Sequence, residues 1–248
     1  MRRFFVAPEQ ITNDHAVLGP DEARHALKAL RLSPGDRVEL LDGSGTIFDA
    51  TFDTLSKVGG ELTITSRRVA PLPSGGLTIA QALLKGKKME FLAQKATELG
   101  VEALQPLTTE RSVPLAESGR NERLHKISIQ ACKQCGRSRP VHIRPLDSLE
   151  HFLASQQADT GLARLFFWEK ENVHAIRQAF AAAGEKKRAC ILVGPEGGFS
   201  DREAGRIADA GFLPVGLGQT ILRAETAALT AMVLGQLFLG NLQPGEEA

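Results

Sequence analysis

Apolar and polar positions change rhythm once along the chain, near residue 70. Before that point the apolar residues come in short runs separated by turn formers. Phe4-Phe5-Val6, Arg37 to Leu41, Thr46 to Phe52 and Glu61 to Val69 read as strands, with Gly59-Gly60 between the last two. Asp42-Gly43-Ser44-Gly45 is a hairpin signal and Ser33-Pro34-Gly35-Asp36 a turn. One helix, from about Asp21 to Leu32, is entered through Pro20, whose fixed φ suits a first helical turn. Short strands at this spacing predict a small β-barrel.

Pro71-Leu72-Pro73-Ser74-Gly75-Gly76 breaks that pattern and is the best linker in the chain. Beyond it strands and helices alternate. Leu77–Leu84, Ala103–Leu107, Ala163–Trp168, Arg188–Val193 and Leu213–Leu217 read as strands. Lys88–Leu99, closed by Gly100, is a helix, as are Asn121–Cys135, Asp147–Gln157, His174–Ala183 and Glu225–Leu239. Ser200-Asp201-Arg202-Glu203 is a capping box that starts one more. Alternation of this kind predicts a parallel α/β sheet covered by helices. The expected layout is a barrel over 1–70, a linker over 71–76 and an α/β domain over 77–248, with the tail after Gln243 frayed.

Two strand ends carry the chemistry. Cys190-Ile191-Leu192-Val193 runs into Gly194-Pro195-Glu196-Gly197-Gly198-Phe199-Ser200. Leu217-Gly218-Gln219-Thr220-Ile221-Leu222-Arg223-Ala224-Glu225-Thr226-Ala227 opens the last helix. Turns poor in side chains let a ligand approach the backbone, and ligands of open α/β sheets sit beyond the carboxyl ends of strands. The pair predicts a main-chain-lined pocket for a flat polar molecule such as a nucleoside. Neither the G-x-G-x-x-G nor the P-loop spacing is present, and H-E-x-x-H and G-x-S-x-G are absent too. Arg223, beside that pocket, is placed to bind phosphate or an oxyanion, whereas Glu225 suits the positive end of a helix.

Composition narrows the class. At 42% hydrophobic and 24% charged residues the chain can bury a real core. No apolar run reaches the roughly 18 residues of a membrane span, and the N-terminus lacks a signal-peptide core, so the cytoplasm is expected. Cys132, Cys135 and Cys190 make no disulfide framework, and Cys132-Lys133-Gln134-Cys135 lacks a second ligand pair and reads as helix packing. The six histidines are scattered, and no metal is expected. Trp168 reads as core. Net charge is only +1, but Arg120, Arg123, Lys126, Lys133, Arg137, Arg139 and Arg144 are opposed by Glu122 alone. Such a run is either a solvated helix face or a polyanion footprint.

These blocks together resemble the bacterial ribosomal RNA small-subunit methyltransferase E family, the 16S rRNA uridine-N3 methyltransferases of the SPOUT class. The resemblance rests on His25-Ala26-Leu27-Lys28-Ala29-Leu30-Arg31 with Gly35-Asp36, Lys85-Gly86-Lys87-Lys88-Met89-Glu90, Gln94–Val101 and Glu110-Arg111-Ser112. Gln134 with Gly136-Arg137 and Pro140, and the two glycine signatures, complete it. Gln219-Thr220 stands where the family commonly has Pro-Arg, so no basic role transfers to position 220. Ala224 replaces a common Thr, and Cys132 and Cys135 replace small residues.

The resemblance implies a PUA-like β-barrel followed by a trefoil-knotted SPOUT domain, a homodimer, and S-adenosylmethionine as cofactor. By position, Gly194, Glu196, Gly197, Gly198, Leu217, Gly218 and Leu222 would hold that cofactor. Arg223 or Arg137 would stabilise charge on the uracil oxygens, and Glu225 is a candidate base. The basic segment, with Arg120, Arg123, Lys133, Arg137 and Arg139, would meet RNA phosphates, assisted by Arg2, Arg3, Arg24 and Arg31. Two alternatives stay open: a SPOUT enzyme acting on a ribose 2′-hydroxyl or another base, and a non-catalytic RNA-binding factor of ribosome assembly.

Overall fold

A computed structural model describes residues 2–113, 119–156, 160–171 and 176–242. The start of the expected helix at His174, the end of the one expected to run to Gln157, and the tail after Gln243 lie outside the described residues. The chain divides into two compact units: Met1–Leu72 with Ile129–Pro140, and Pro73–Ser128 with Val141–Ala248.

In the first unit, β1 (Arg2–Phe5), β2 (His15–Leu18), β3 (Arg37–Leu41), β4 (Thr46–Ser56) and β5 (Gly59–Val69) form a mixed sheet in the order β1-β3-β4-β5-β2. Only β1 and β3 run parallel. Phe4, Val38, Leu40, Phe52 and Leu62 build its core, and the helix α1 (Pro20–Lys28) adds Ala23 and Ala26. β2 alternates exposed and buried side chains, but four residues are too few to stand out from sequence alone. Gly59 and Gly60 belong to β5 rather than to a turn; Lys57 and Val58 make the turn. A Cβ on Gly60 would press on Phe52, Leu55 and the Thr54 carbonyl at 3.1 Å, so this glycine serves close packing. The helix α1 ends at Lys28, short of the expected Leu32. Arg31 takes a left-handed φ of 54°, and Leu30 and Leu32 pack against the core.

The second unit carries a parallel sheet. Its strands are β6 (Gly76–Ala82), β7 (Ala103–Thr108), β8 (His142–Ile143), β9 (Asp147–Ser148), β10 (Leu162–Phe167), β11 (Arg188–Val193) and β12 (Leu213–Val215). The spatial order is β12-β10-β11-β6-β7-β8, with β9 also paired to β7. The helices are α2 (Lys88–Glu98), α3 (Arg120–Cys135), α4 (Leu149–Gln156), α5 (Ile176–Ala183), α6 (Asp201–Asp209) and α7 (Ala224–Phe238); the first unit claims α3 from Ile129 onward. Strand residues alternate between two cores, as the two-residue strand period requires. Ile79, Leu165, Ile191 and Val193 face one cluster with α2 and α7, while Ala80, Phe166, Cys190 and Leu192 face another with α4 and α6. A sheet buried on both faces explains why its strands read as unbroken apolar runs.

Candidate active site

Register sets the site. Phe167 lies opposite both Val193 and Val215, so β10, β11 and β12 end level, and all three residues line one cavity of about 540 Å³. Gly194, Glu196, Gly197 and Gly198 line it from one side and Leu217, Gly218, Leu222 and Arg223 from the other. Because β10 is the middle strand, the loop Trp168–Glu171 that follows it falls between the two glycine turns. Trp168, expected in the core, is half-buried and lines the cavity with Glu169 and Glu171. Sequence order gave no sign of this, since the loop precedes both signatures along the chain.

Missing side chains make this packing possible. A Cβ on Gly194 would lie 3.3 Å from the Gly198 backbone, and one on Gly216 would lie 2.3 Å from the Glu171 carbonyl oxygen. Gly198 has φ +66° and donates its N–H to the Pro195 carbonyl at 2.9 Å, closing the first turn. Buried Gln81 at the end of β6 supports that turn, donating to the carbonyls of Val193 (3.3 Å) and Gly194 (3.0 Å). From outside, Arg111 donates to the Gly197 carbonyl at 2.7 Å. Ser200 and Glu203 form the expected capping box of α6, and Glu203 also accepts the Glu110 N–H at 2.8 Å.

Charges gather at the rim. The Lys88 ammonium lies 3.0 Å from Glu196 and 3.0 Å from Glu225, and Glu196 also accepts the Lys85 N–H at 3.1 Å. Burial works against ionisation of Glu196, yet Lys88 and backbone N–H groups outweigh it and hold the carboxyl below its usual value. Glu225 is held low by its own N–H, then by Lys88 and Arg223, against a penalty from burial. Lys88 is pushed up by its hydrogen bond to Glu196 and then by the nearby Glu225 carboxylate, an ion pair in which Glu225 Oε2 gains no hydrogen bond. Sequence reading assigned Lys88 no role; its signal was a lysine opening a helix, where the dipole disfavours a cation.

The other predicted residues are placed differently. Arg137 is not among the cavity residues and belongs, with Lys133 and Arg139, to the segment counted with the first unit. There Lys133 pairs with Glu22 at 2.6 Å, its side chain only 11% exposed. The Arg139 guanidinium covers Gly45 and donates to the Ala70 carbonyl at 3.4 Å. Arg3 packs on Gly136 and binds Glu39 at 2.7 Å. Arg2 donates to the Leu30 carbonyl at 2.6 Å, Arg24 pairs with Asp21, and Arg123 pairs with Glu90 at 2.9 Å. Arg120 is half-buried at the start of α3, and Arg31 is exposed. Cys132 is buried, which pushes its thiol up to about 12.

Known proteins resemble this chain along most of its length. The model of the RNA methyltransferase domain family matches residues 70–236, and that of the RNA methyltransferase PUA domain matches residues 18–57. A ribosomal RNA small subunit methyltransferase E from Synechocystis is 33% identical over 93% of this chain and 75% of its own length. The Mycobacterium bovis protein of the same name is 28% identical over 92% and 88%. Among solved structures, a ribosomal RNA small subunit methyltransferase E from Neisseria gonorrhoeae, bound to S-adenosyl methionine, superposes with TM-score 0.84 at 30% identity, covering 96% of this chain and 97% of that one. A Legionella pneumophila methyltransferase in complex with the same cofactor gives 0.83 at 29%, with the same coverage. A parallel α/β domain matched over more than half the chain, a PUA-type domain before it and full-length relatives at this identity place the chain in the ribosomal RNA small subunit methyltransferase E family.

Proposed function

We propose that this protein is an S-adenosylmethionine-dependent methyltransferase acting on N3 of a uridine in 16S rRNA of the small ribosomal subunit. One observation carries the reading: both glycine signatures close on a single cavity at level strand ends, in a family whose relatives are solved with this cofactor. The volume lies within the range of ordinary small-molecule sites, and a Cβ at Gly194 or Gly216 would press on the backbone of the loops that wall it. Gly194, Glu196, Gly197, Gly198, Leu217, Gly218 and Leu222 hold the cofactor, largely by main-chain groups, within the trefoil knot of the SPOUT class.

When bound, the cofactor supplies a methyl group already activated on a sulfonium. The protein's task is therefore positioning and charge control. As the N3 proton leaves, negative charge spreads to O2 and O4 of the uracil. Arg223 lines the cavity at the N-cap of α7 and stabilises that charge; this reading favours Arg223 over Arg137, which is not among the lining residues. Glu225, held ionised by its neighbours, is a weak base and serves to fix α7. The protein works as a homodimer. Arg24 and Arg123 contact RNA phosphates, since exposed ion pairs are worth about 1 kcal/mol or less and exchange readily for phosphate, and the exposed Arg31 and half-buried Arg120 join them.

Incubating the protein with labelled cofactor and small subunits lacking the modification tests the reaction. Nuclease digestion and mass spectrometry then locate the methyl group; label on a ribose oxygen or another base would reject N3. Arg223→Ala is expected to lower turnover by about a hundredfold with cofactor binding intact.

A further inference from the structure

Three elements distant in sequence meet at one ammonium group. Lys88 is the first residue of α2, Glu196 lies in the first glycine turn, and Glu225 in the first turn of α7 just after Arg223. Nζ of Lys88 reaches Glu196 Oε1 and Glu225 Oε2, each at 3.0 Å. The three side chains are partly buried, at 34%, 29% and 20% exposed. A cation opening a helix is opposed by the helix dipole, so two carboxylates at the same point supply the compensation it needs. Glu225 is suited to the positive end of α7, and its side chain nevertheless turns to Lys88. Glu196 gains a second anchor from the Lys85 N–H at 3.1 Å, the residue just before the α2 turn.

We infer that Lys88 is a positioning residue: it clamps the cofactor turn at Glu196 to the Arg223 turn through Glu225, fixing the two halves of the cavity in one register. The inference rests on the cofactor reading of that cavity. Lys88 touches neither reacting atom in this role. Its charge is spent on two carboxylates, which separates it from Arg223, proposed above to stabilise charge that develops only during reaction. Without the clamp each turn keeps its own internal bonds, Gly198 N–H to Pro195 and Ala227 N–H to Arg223, but loses its tie to the other.

The test compares Lys88→Met and Lys88→Arg with the wild type, using S-adenosylmethionine as probe and unmodified small subunits as substrate. Lys88→Met is expected to weaken cofactor binding about tenfold, the scale of one partly exposed charged hydrogen bond to Glu196 and one ion pair to Glu225 lost together. KM for RNA should stay within about twofold, and Lys88→Arg should recover most of the cofactor affinity. Raising salt should weaken wild-type cofactor binding toward the Lys88→Met value and leave that variant nearly flat. Hydrogen exchange in the cofactor-free protein gives an independent readout. Lys88→Met should speed exchange at Gly198 and Ala227 together, with little change in melting temperature. Wild-type cofactor affinity in Lys88→Met, or faster exchange in one turn only, overturns the clamp. A wild-type protein that fails to bind the cofactor while both turns loosen in Lys88→Met would instead sink the cofactor reading and leave the clamp standing.

Discussion

Gly216→Ala is the sharpest test of how the cavity is built. A Cβ at this position would lie 2.3 Å from the Glu171 carbonyl oxygen and 3.3 Å from its carbon. Carbon and oxygen in unstrained contact sit at about 3.3–3.6 Å, so the β10 loop must retreat by about 1 Å. The obstacle is backbone, and no rotamer change relieves it. Retreat stretches the hydrogen bond from the Trp168 N–H to the Val215 carbonyl, already 3.2 Å long. Overpacking of this kind costs about 1–3 kcal/mol. For a chain of this length each kcal/mol moves the melting temperature by about 2–4 °C, so a drop of about 2–12 °C is expected in differential scanning calorimetry. Since the same shift moves the loop that separates the two glycine turns, cofactor affinity in calorimetric titration should fall at least about tenfold, the equivalent of about 1.4 kcal/mol. Gly198→Ala is the internal comparison: it meets only the end of the exposed Glu169 side chain, which can swing aside, so its φ of +66° sets the cost at about 1 kcal/mol. A Gly216→Ala protein that melts with the wild type and binds cofactor within twofold would refute the three-loop description.

Four further outcomes follow from the same structure. Arg111→Ala removes the donor to the Gly197 carbonyl and should weaken cofactor binding about three- to fivefold, measured by titration, the exposure of the arginine limiting the loss. Gly205→Ala, exposed within α6 with nothing within 4 Å of the added carbon, should stabilise the protein by about 0.5–1 kcal/mol in denaturant unfolding. Lys133→Met strands Glu22, whose second oxygen is buried without a hydrogen-bond partner, and should lower the melting temperature by about 5 °C. Glu196 and Glu225 are held below 4.5 and Lys88 above 10.5. Their contribution to stability should therefore be complete between about pH 5 and 10, fading as pH falls through the lowered carboxyl values or rises through the raised lysine value, in melting curves against pH.

Much of the fold was legible because its determinants are local. β3 and β11 begin and end where the apolar runs do, and the Ser200 capping box is as written in the sequence. The misses have identifiable physical causes. β2 and β8 are short strands whose existence depends on a partner rather than on their own pattern. Gly59-Gly60 has the composition of a turn, but the packing of Phe52 and Leu55 against Gly60 decides its place in β5. Both glycine turns could be found by eye, yet the wall between them could not. Sheet order puts β10 between β12 and β11, and no local signal in Trp168-Glu169-Lys170-Glu171 encodes that neighbourhood. Lys88 escaped notice for a similar reason, as its two partners lie more than a hundred residues away.

The basic run from Arg120 to Arg144 shows how charge counted along a chain can misstate charge offered to a ligand. Lys133 is 11% exposed against Glu22, and Arg3 is 29% exposed against Glu39. Releasing either to a phosphate would expose a carboxylate built to be paired, at a cost of about 1–3 kcal/mol, comparable with what the phosphate contact would return. Arg139 is committed by shape as well as charge, since its guanidinium occupies the space that a side chain at position 45 would need. Arg24 and Arg123 are in the opposite condition: they pair at the surface, 47% and 61% exposed, where the pair contributes little and water competes for both ends. Burial thus sorts the cations of this run, together with Arg3 and Arg24, into two groups. The sequestered cations are tied into pairs and packing within the first unit, and the exposed ones are those that the proposed contact with RNA phosphate would use.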